Sequence, residues 1–141
     1  MRMKLIAACV ATLLCAGCAS FHATQVVRFV DDDGRFATVT YGYGDEDHTT
    51  TFISPANGRE VELKSRLRVK VAMDDGPSFT AYQCMNMLGS GTMYKTDNDR
   101  WMYLANGFTC MLFEFDAARD DYRVVFRGVL CQTPAREDRR R

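Results

Sequence analysis

Apolar and polar residues alternate with a period of two through much of this chain. Leu67, Val69, Val71 and Met73 share one face of the stretch 66–73, with Arg68, Lys70 and Ala72 between them. Val61 and Leu63 alternate with Glu60, Glu62 and Lys64, and Tyr122, Val124 and Phe126 alternate with Arg123, Val125 and Arg127. Successive side chains of a strand point to opposite faces, so this pattern predicts half-buried antiparallel strands. Turn-forming clusters fall between them: Asp31-Asp32-Asp33-Gly34, Pro55-Ala56-Asn57-Gly58, Asp74-Asp75-Gly76-Pro77, Gly89-Ser90-Gly91, Asp97-Asn98-Asp99 and Asn106-Gly107. Asn-Gly and Asp-Gly tolerate the positive φ that tight hairpins demand. The strands predicted are 24–30, 35–43, 49–53, 59–64, 66–73, 78–87, 92–96, 100–105, 108–116 and 122–132. No window carries a convincing amphipathic helix, and Ala117-Ala118-Arg119 is at most one turn. Many short strands at regular spacing predict an all-β domain over 24–133: a small antiparallel β-barrel, with a β-sandwich as the alternative.

The first residues follow another pattern. Arg2 and Lys4 precede an apolar run from Leu5 to Leu14 broken only by Thr12, and the small residues Ala16 and Gly17 precede Cys18. That is the order of a secretory signal. The run is too short to span a bilayer, which takes roughly 20 residues. Leu14-Cys15-Ala16-Gly17-Cys18 resembles the lipobox of bacterial lipoproteins, although Cys15 stands where such boxes usually hold Leu. The resemblance implies a signal peptide over 1–17, removal before Cys18, and acylation of that thiol. A short tether, 18–23, then joins the lipid to the barrel. Ala19 after the cysteine resembles the sorting pattern of outer-membrane lipoproteins facing the periplasm. Ordinary secretion with cleavage nearby is the plainer reading.

Charge narrows the partners. The chain carries 18 basic and 18 acidic residues. Arg2 and Lys4 leave with the leader, so 16 basic residues face 18 acidic ones, a net of −2. Nothing in that balance suggests a nucleic-acid binder. The segment 134–141 holds four arginines against Glu137 and Asp138 and no large apolar residue, and is read as a disordered basic tail.

Six cysteines reduce to three once Cys9 and Cys15 leave with the leader and Cys18 carries lipid. Cys84, Cys110 and Cys131 remain, in a compartment that favours disulfides. An odd number allows one bridge and leaves one thiol over. If 108–116 and 122–132 form a hairpin turning near residue 119, Cys110 faces position 127 or so. Cys131 is then about 13 Å further along the strand, beyond disulfide reach. A bridge from Cys84 to Cys110 or Cys131 is expected instead, Cys84–Cys110 being favoured. The other reading is three buried thiols acting as small hydrophobes.

Catalytic material is sparse. His22 lies in the expected tether and His48 in a polar loop, neither near a candidate nucleophile. Gly89-Ser90-Gly91 lacks the glycine two residues before the serine that a nucleophile elbow needs. No His/Cys cluster has zinc spacing, and the acidic runs at 31–33, 45–47 and 97–99 lack the ligand spacing of a calcium loop. Glu114 inside Met111-Leu112-Phe113-Glu114-Phe115 is either a buried carboxylate with an arginine partner or an outward position of an alternating strand. No cofactor, metal or catalytic residue is expected.

Ser90-Gly91-Thr92-Met93-Tyr94 fits S-G-x-x-Y, the signature of bacterial inhibitors of C-type lysozyme, whose membrane-bound branch consists of lipoproteins. Val39-Thr40-Tyr41 and Asn57-Gly58-Arg59-Glu60-Val61-Glu62-Leu63 look like that family's early strands. Trp101-Met102-Tyr103-Leu104-Ala105-Asn106-Gly107 falls where it has an aromatic strand ending in a Lys-Gly turn. The resemblance is to residues 26–113 or so. Here Asn106 replaces the lysine, and the nearest lysine is Lys95. The stretch 65–85 looks like an insertion. The resemblance implies a small antiparallel barrel whose Ser90 loop enters a lysozyme's catalytic cleft and hydrogen-bonds its acids. Ser90, Gly91, Tyr94 and Lys95 would form the lysozyme-binding set. A competing expectation is an envelope lipoprotein that binds another envelope protein through exposed aromatics such as Tyr41, Tyr43 and Trp101. An enzyme is the least favoured class.

Overall fold

The computed structural model describes residues 21–53, 57–87 and 91–131. Its eight strands are β1 (His22–Val30), β2 (Phe36–Ile53), β3 (Glu60–Met73), β4 (Ser78–Met87), β5 (Gly91–Lys95), β6 (Trp101–Asn106), β7 (Thr109–Asp116) and β8 (Asp121–Leu130). Each pairs antiparallel with the next in sequence, and β8 returns to β1, so one sheet closes on itself as a small barrel. There is no helix among the described residues, and 117–120 is a turn. The all-β barrel expected from period-two patterning is the observed class.

Ten expected strands become eight because two pairs merge. Segments 59–64 and 66–73 run through Ser65 as one strand. Segments 35–43 and 49–53 are one 18-residue strand interrupted by a bulge. Tyr43 pairs with Leu67 and His48 with Ser65, so residues 44–47 of β2 stand opposite Arg66 alone. A bulge bends its strand, and the far arm of the β2–β3 hairpin lies against β4. There Thr50 Oγ1 donates to the Gln83 carbonyl at 3.0 Å and Ser65 Oγ to Gln83 Oε1 at 2.5 Å. The His48 ring stacks on Tyr82 with centroids 3.6 Å apart, and its Nε2 lies 2.7 Å from Asp97 Oδ1. His48 is therefore in a strand rather than a polar loop. His22 opens β1 rather than lying in a tether, its Nε2 2.6 Å from Asp45 Oδ1.

Inward-facing Phe29, Val39, Val69, Val71, Tyr103, Leu112 and Phe126 are fully buried. Burying each such side chain contributes about 1.5–3 kcal/mol. A second bulge sits where Leu112 pairs with Phe126 but Phe113 pairs with Val124. Val125 is the extra residue and packs against the core, while Val124 is exposed. The simple alternation of Tyr122, Val124 and Phe126 therefore breaks between Val124 and Phe126. Leu67 departs too: it shares the parity of Val69 and Val71 but is exposed, while Met73, at the other end of that row, is buried.

The barrel closes through a short seam. Phe29 pairs with Leu130 and Val30 with Val129. The Cys131 N–H donates to the Arg28 carbonyl at 2.8 Å, and the Leu130 N–H to the Phe108 carbonyl at 2.7 Å.

Cys84, Cys110 and Cys131 are all free, which corrects the expected bridge. Cys84 is on β4 and Cys110 on β7, with β5 and β6 between them. Three inter-strand steps of about 4.8 Å separate thiols that must approach to bonding distance. Cys110 pairs with Gly128, one residue from the position expected on β8. Both inner thiols behave as small buried hydrophobes. Burial pushes the Cys84 thiol up to about 11 and the Cys110 thiol up to about 12.

Candidate functional site

The S-G-x-x-Y segment spans the start of β5. Ser90 lies outside the described residues, and so does Cys18, the residue expected to carry lipid. Gly91 begins β5 opposite Met87, and Thr92 pairs with Ala105 on β6. Its backbone has φ +106°, a conformation that side-chain-bearing residues rarely adopt. A Cβ there would collide with the Ala105 carbonyl oxygen and crowd Asn106 Cα at 3.2 Å. Glycine at 91 is therefore required twice, by the turn and by the approach of the next strand. That approach sets the segment following Ser90 directly beside Asn106-Gly107, the two motif segments that are separated in sequence.

Between them the rim opens into a cup of about 380 Å³. Val27, Phe29, Leu130 and Ala105 form its apolar wall, and Gln25 and Thr92 its polar edge. Tyr41 and Tyr94 reach it from β2 and β5. The Tyr41 and Tyr103 hydroxyls are 2.6 Å apart, and the Tyr103 ring lies against both neighbours, with centroids 6.3 Å from Tyr41 and 6.0 Å from Tyr94. Desolvation raises the hydroxyl pKa of all three and takes Tyr94 to about 12. They remain neutral hydrogen-bonding groups at physiological pH.

Tyr94 is thus a buried aromatic that holds β5 in place beneath Gly91. Lys95 is not at this rim. It ends β5, four residues along the strand from Gly91, which is about 13 Å. Its Nζ pairs with Asp99 at 2.5 Å in the β5–β6 turn. Lys95 pairs with Met102 on β6, three residues along that strand from Ala105 and apart from Asn106-Gly107. The aromatics expected as an exposed patch are also dispersed: Tyr41 faces the cup, Trp101 stacks on Phe79 at 5.3 Å, and Tyr43 is exposed.

Other polar groups have structural partners. Glu114 continues the inward row of Cys110 and Leu112 to the end of the barrel, beside Trp101 and Val125, where it is mostly buried and clamped by Arg100 at 3.2 Å and Arg123 at 3.1 Å; of the two expectations the carboxylate with arginine partners is the one observed. Asp31 organises its own turn, accepting the backbone N–H groups of Asp33 and Arg35 and the Arg35 Nε. Phe108, which the sequence does not single out, is the most exposed large apolar residue described and follows Gly107 directly. In comparison with known proteins, no family model, no curated protein and no solved structure matches this chain.

Proposed function

We propose that the protein is an outer-membrane lipoprotein, anchored through Cys18, that inhibits C-type lysozyme without catalysis by placing the Ser90 turn in the enzyme's cleft. The observation that carries this reading is the side-by-side placement of Gly91 and the 105–107 segment on one rim. These are two of the places where the sequence resembles the inhibitors, and β5 and β6 set them side by side. The chemistry is coherent. A serine hydroxyl donates one hydrogen bond and accepts others. The catalytic pair of a lysozyme combines a raised-pKa acid with an ionised carboxylate, so one neutral hydroxyl satisfies both. Asn106 cannot supply the charge-assisted bond that a lysine would, so binding is weaker than in an inhibitor that has one.

The test is inhibition of a C-type lysozyme by the chain from Ala19 onward. Inhibition at micromolar concentration is expected. A hydrogen bond to a charged group contributes roughly 1.5–3 kcal/mol, so Ser90→Ala should weaken inhibition by about 10- to 150-fold. No inhibition at micromolar concentration sinks the reading for that enzyme. A second reading, an envelope lipoprotein binding a different envelope protein at the same rim, is favoured by Asn106 and by the remote position of Lys95. Retention of an envelope protein by the wild-type chain and its loss in Phe108→Ser would support it.

A further inference from the structure

The cup carries chemistry that the rim reading leaves unused. Tyr94 points inward from β5 and is only 6% exposed. Its hydroxyl makes no hydrogen bond to any described residue. No wholly buried side-chain oxygen among the described residues lacks a partner, so this hydroxyl keeps access to open space, and the space that Tyr94 lines is the cup. A phenol so deep in a core normally has a hydrogen-bond partner. Here its O–H is presented to whatever fills the cup. The lining narrows what that is. None of the described residues lining the cup is charged, although 26% of the chain is Asp, Glu, Lys or Arg. A charged ligand would lose its hydration there with no counter-charge to replace it. Behind the cup the barrel is filled by fully buried Tyr103, whose ring lies against Tyr41 and Tyr94. That leaves depth for a compact ring and none for an extended acyl chain. The volume of about 380 Å³ is at the small end of ligand pockets, and the mouth of a barrel is a common place for one.

We propose that the cup binds a small uncharged aromatic molecule bearing an oxygen acceptor, with its ring against Val27, Phe29 and Leu130 and its acceptor on the Tyr94 hydroxyl. Burial holds Tyr94 protonated, its pKa pushed up to about 12, so it donates throughout the physiological range. The Tyr41 hydroxyl is already paired with Tyr103. A hydroxyl has one donor and two acceptor sites, so Tyr41 can make a further bond to a polar substituent on the ring. Gln25 and Thr92, whose side chains have no partner among the described residues, meet the end of the molecule nearest the mouth. The site uses neither Ser90 nor a protein partner, and so stands or falls separately from the lysozyme reading.

The experiment uses the chain from Ala19, which retains every strand of the barrel, and three fluorescent naphthalenes. Prodan is uncharged and has one carbonyl, N-phenyl-1-naphthylamine is uncharged and has no oxygen, and 1-anilino-8-naphthalenesulfonate is that second probe with a negative charge added. Prodan should bind saturably with a blue shift and a Kd on the order of 100 µM, in line with the affinity per atom of molecules this size. Tyr94→Phe should weaken Prodan about fivefold and leave N-phenyl-1-naphthylamine unchanged, since only the carbonyl uses the hydroxyl. The sulfonate should bind about tenfold more weakly than its uncharged parent. The thermal midpoint of Tyr94→Phe should not fall, because the hydroxyl has no protein partner to lose. Ala105→Leu, which fills the cup, should weaken both uncharged probes about fivefold. No saturable Prodan binding, Prodan binding that Tyr94→Phe leaves unchanged, or equal affinity for the sulfonate and its parent overturns the proposal.

Discussion

Tyr103 sits at the centre of the barrel and touches both halves of the candidate rim, through Tyr41 and Tyr94. Replacing it with Phe keeps the packing but leaves the Tyr41 hydroxyl without its 2.6 Å partner. The expected loss is about 1 kcal/mol, measured by urea unfolding, with a small shift in any rim binding. The thiols give a sharper test. A thiol ordinarily titrates at 9.0, and burial raises Cys84 to about 11 and Cys110 to about 12. The fold therefore holds these protons more tightly than the unfolded chain does. Their stabilisation is complete below pH 9.0 and is lost as pH rises towards 11 to 12. Alkylation of the chain from Ala19 at pH 8 should label half-buried Cys131 first and the other two only after unfolding. Equal labelling of all three in the native state would contradict the placement.

Within the elements, Gly91 and the β2 bulge are the positions where a single residue governs a strand. Gly91→Ala introduces both a positive-φ penalty and a clash with a backbone carbonyl. A cost of about 2–3 kcal/mol is expected, while Gly107→Asn, with open space around it and φ +60°, should cost about 1 kcal/mol or less. Thermal midpoints of the two variants compare them directly. His48→Ala removes the stack on Tyr82 and the pair with Asp97. Amide exchange in 48–53 and 60–65 should then rise about fivefold, corresponding to a contact of about 1 kcal/mol. At this scale the sequence was readable wherever local chemistry and burial agreed. Strands 78–87 and 108–116 and the Asn-Gly and Asp-Gly turns were legible because period-two patterns and turn residues coincide there. The bulges were not. Gly44-Asp45-Glu46-Asp47 is polar like a turn, and only pairing on both sides with β3 makes it part of one strand. Val125 looks like any outward residue until a register shift turns it to the core.

For the whole molecule, closure through two residue pairs makes the seam the weak point of the ring. Phe29, fully buried there, anchors β1 to the core. Phe29→Ala should cost about 3–5 kcal/mol, a large part of the 5–15 kcal/mol typical of such domains. Cooperative unfolding at a lower denaturant midpoint would measure it. The barrel class was legible, although ten short strands were expected and eight are observed, because many alternating strands joined by hairpin-length turns allow few other packings. The composition of the rim was legible only in part. Gly91 could be picked out from its motif, but inward parity at Tyr94 and the length of β5 decide that Tyr94 is core and Lys95 distant. Phe108 gave no signal, since an aromatic after Asn-Gly reads like any strand start. The short seam also governs how the barrel bears load. A pull on the chain before His22 acts on the end of β1 farthest from Phe29. It would peel β1 from β2 pair by pair, starting at His22–Tyr43, instead of shearing all pairs together. A barrel tethered at that end would yield gradually under tension, and the seam would be the last contact to part.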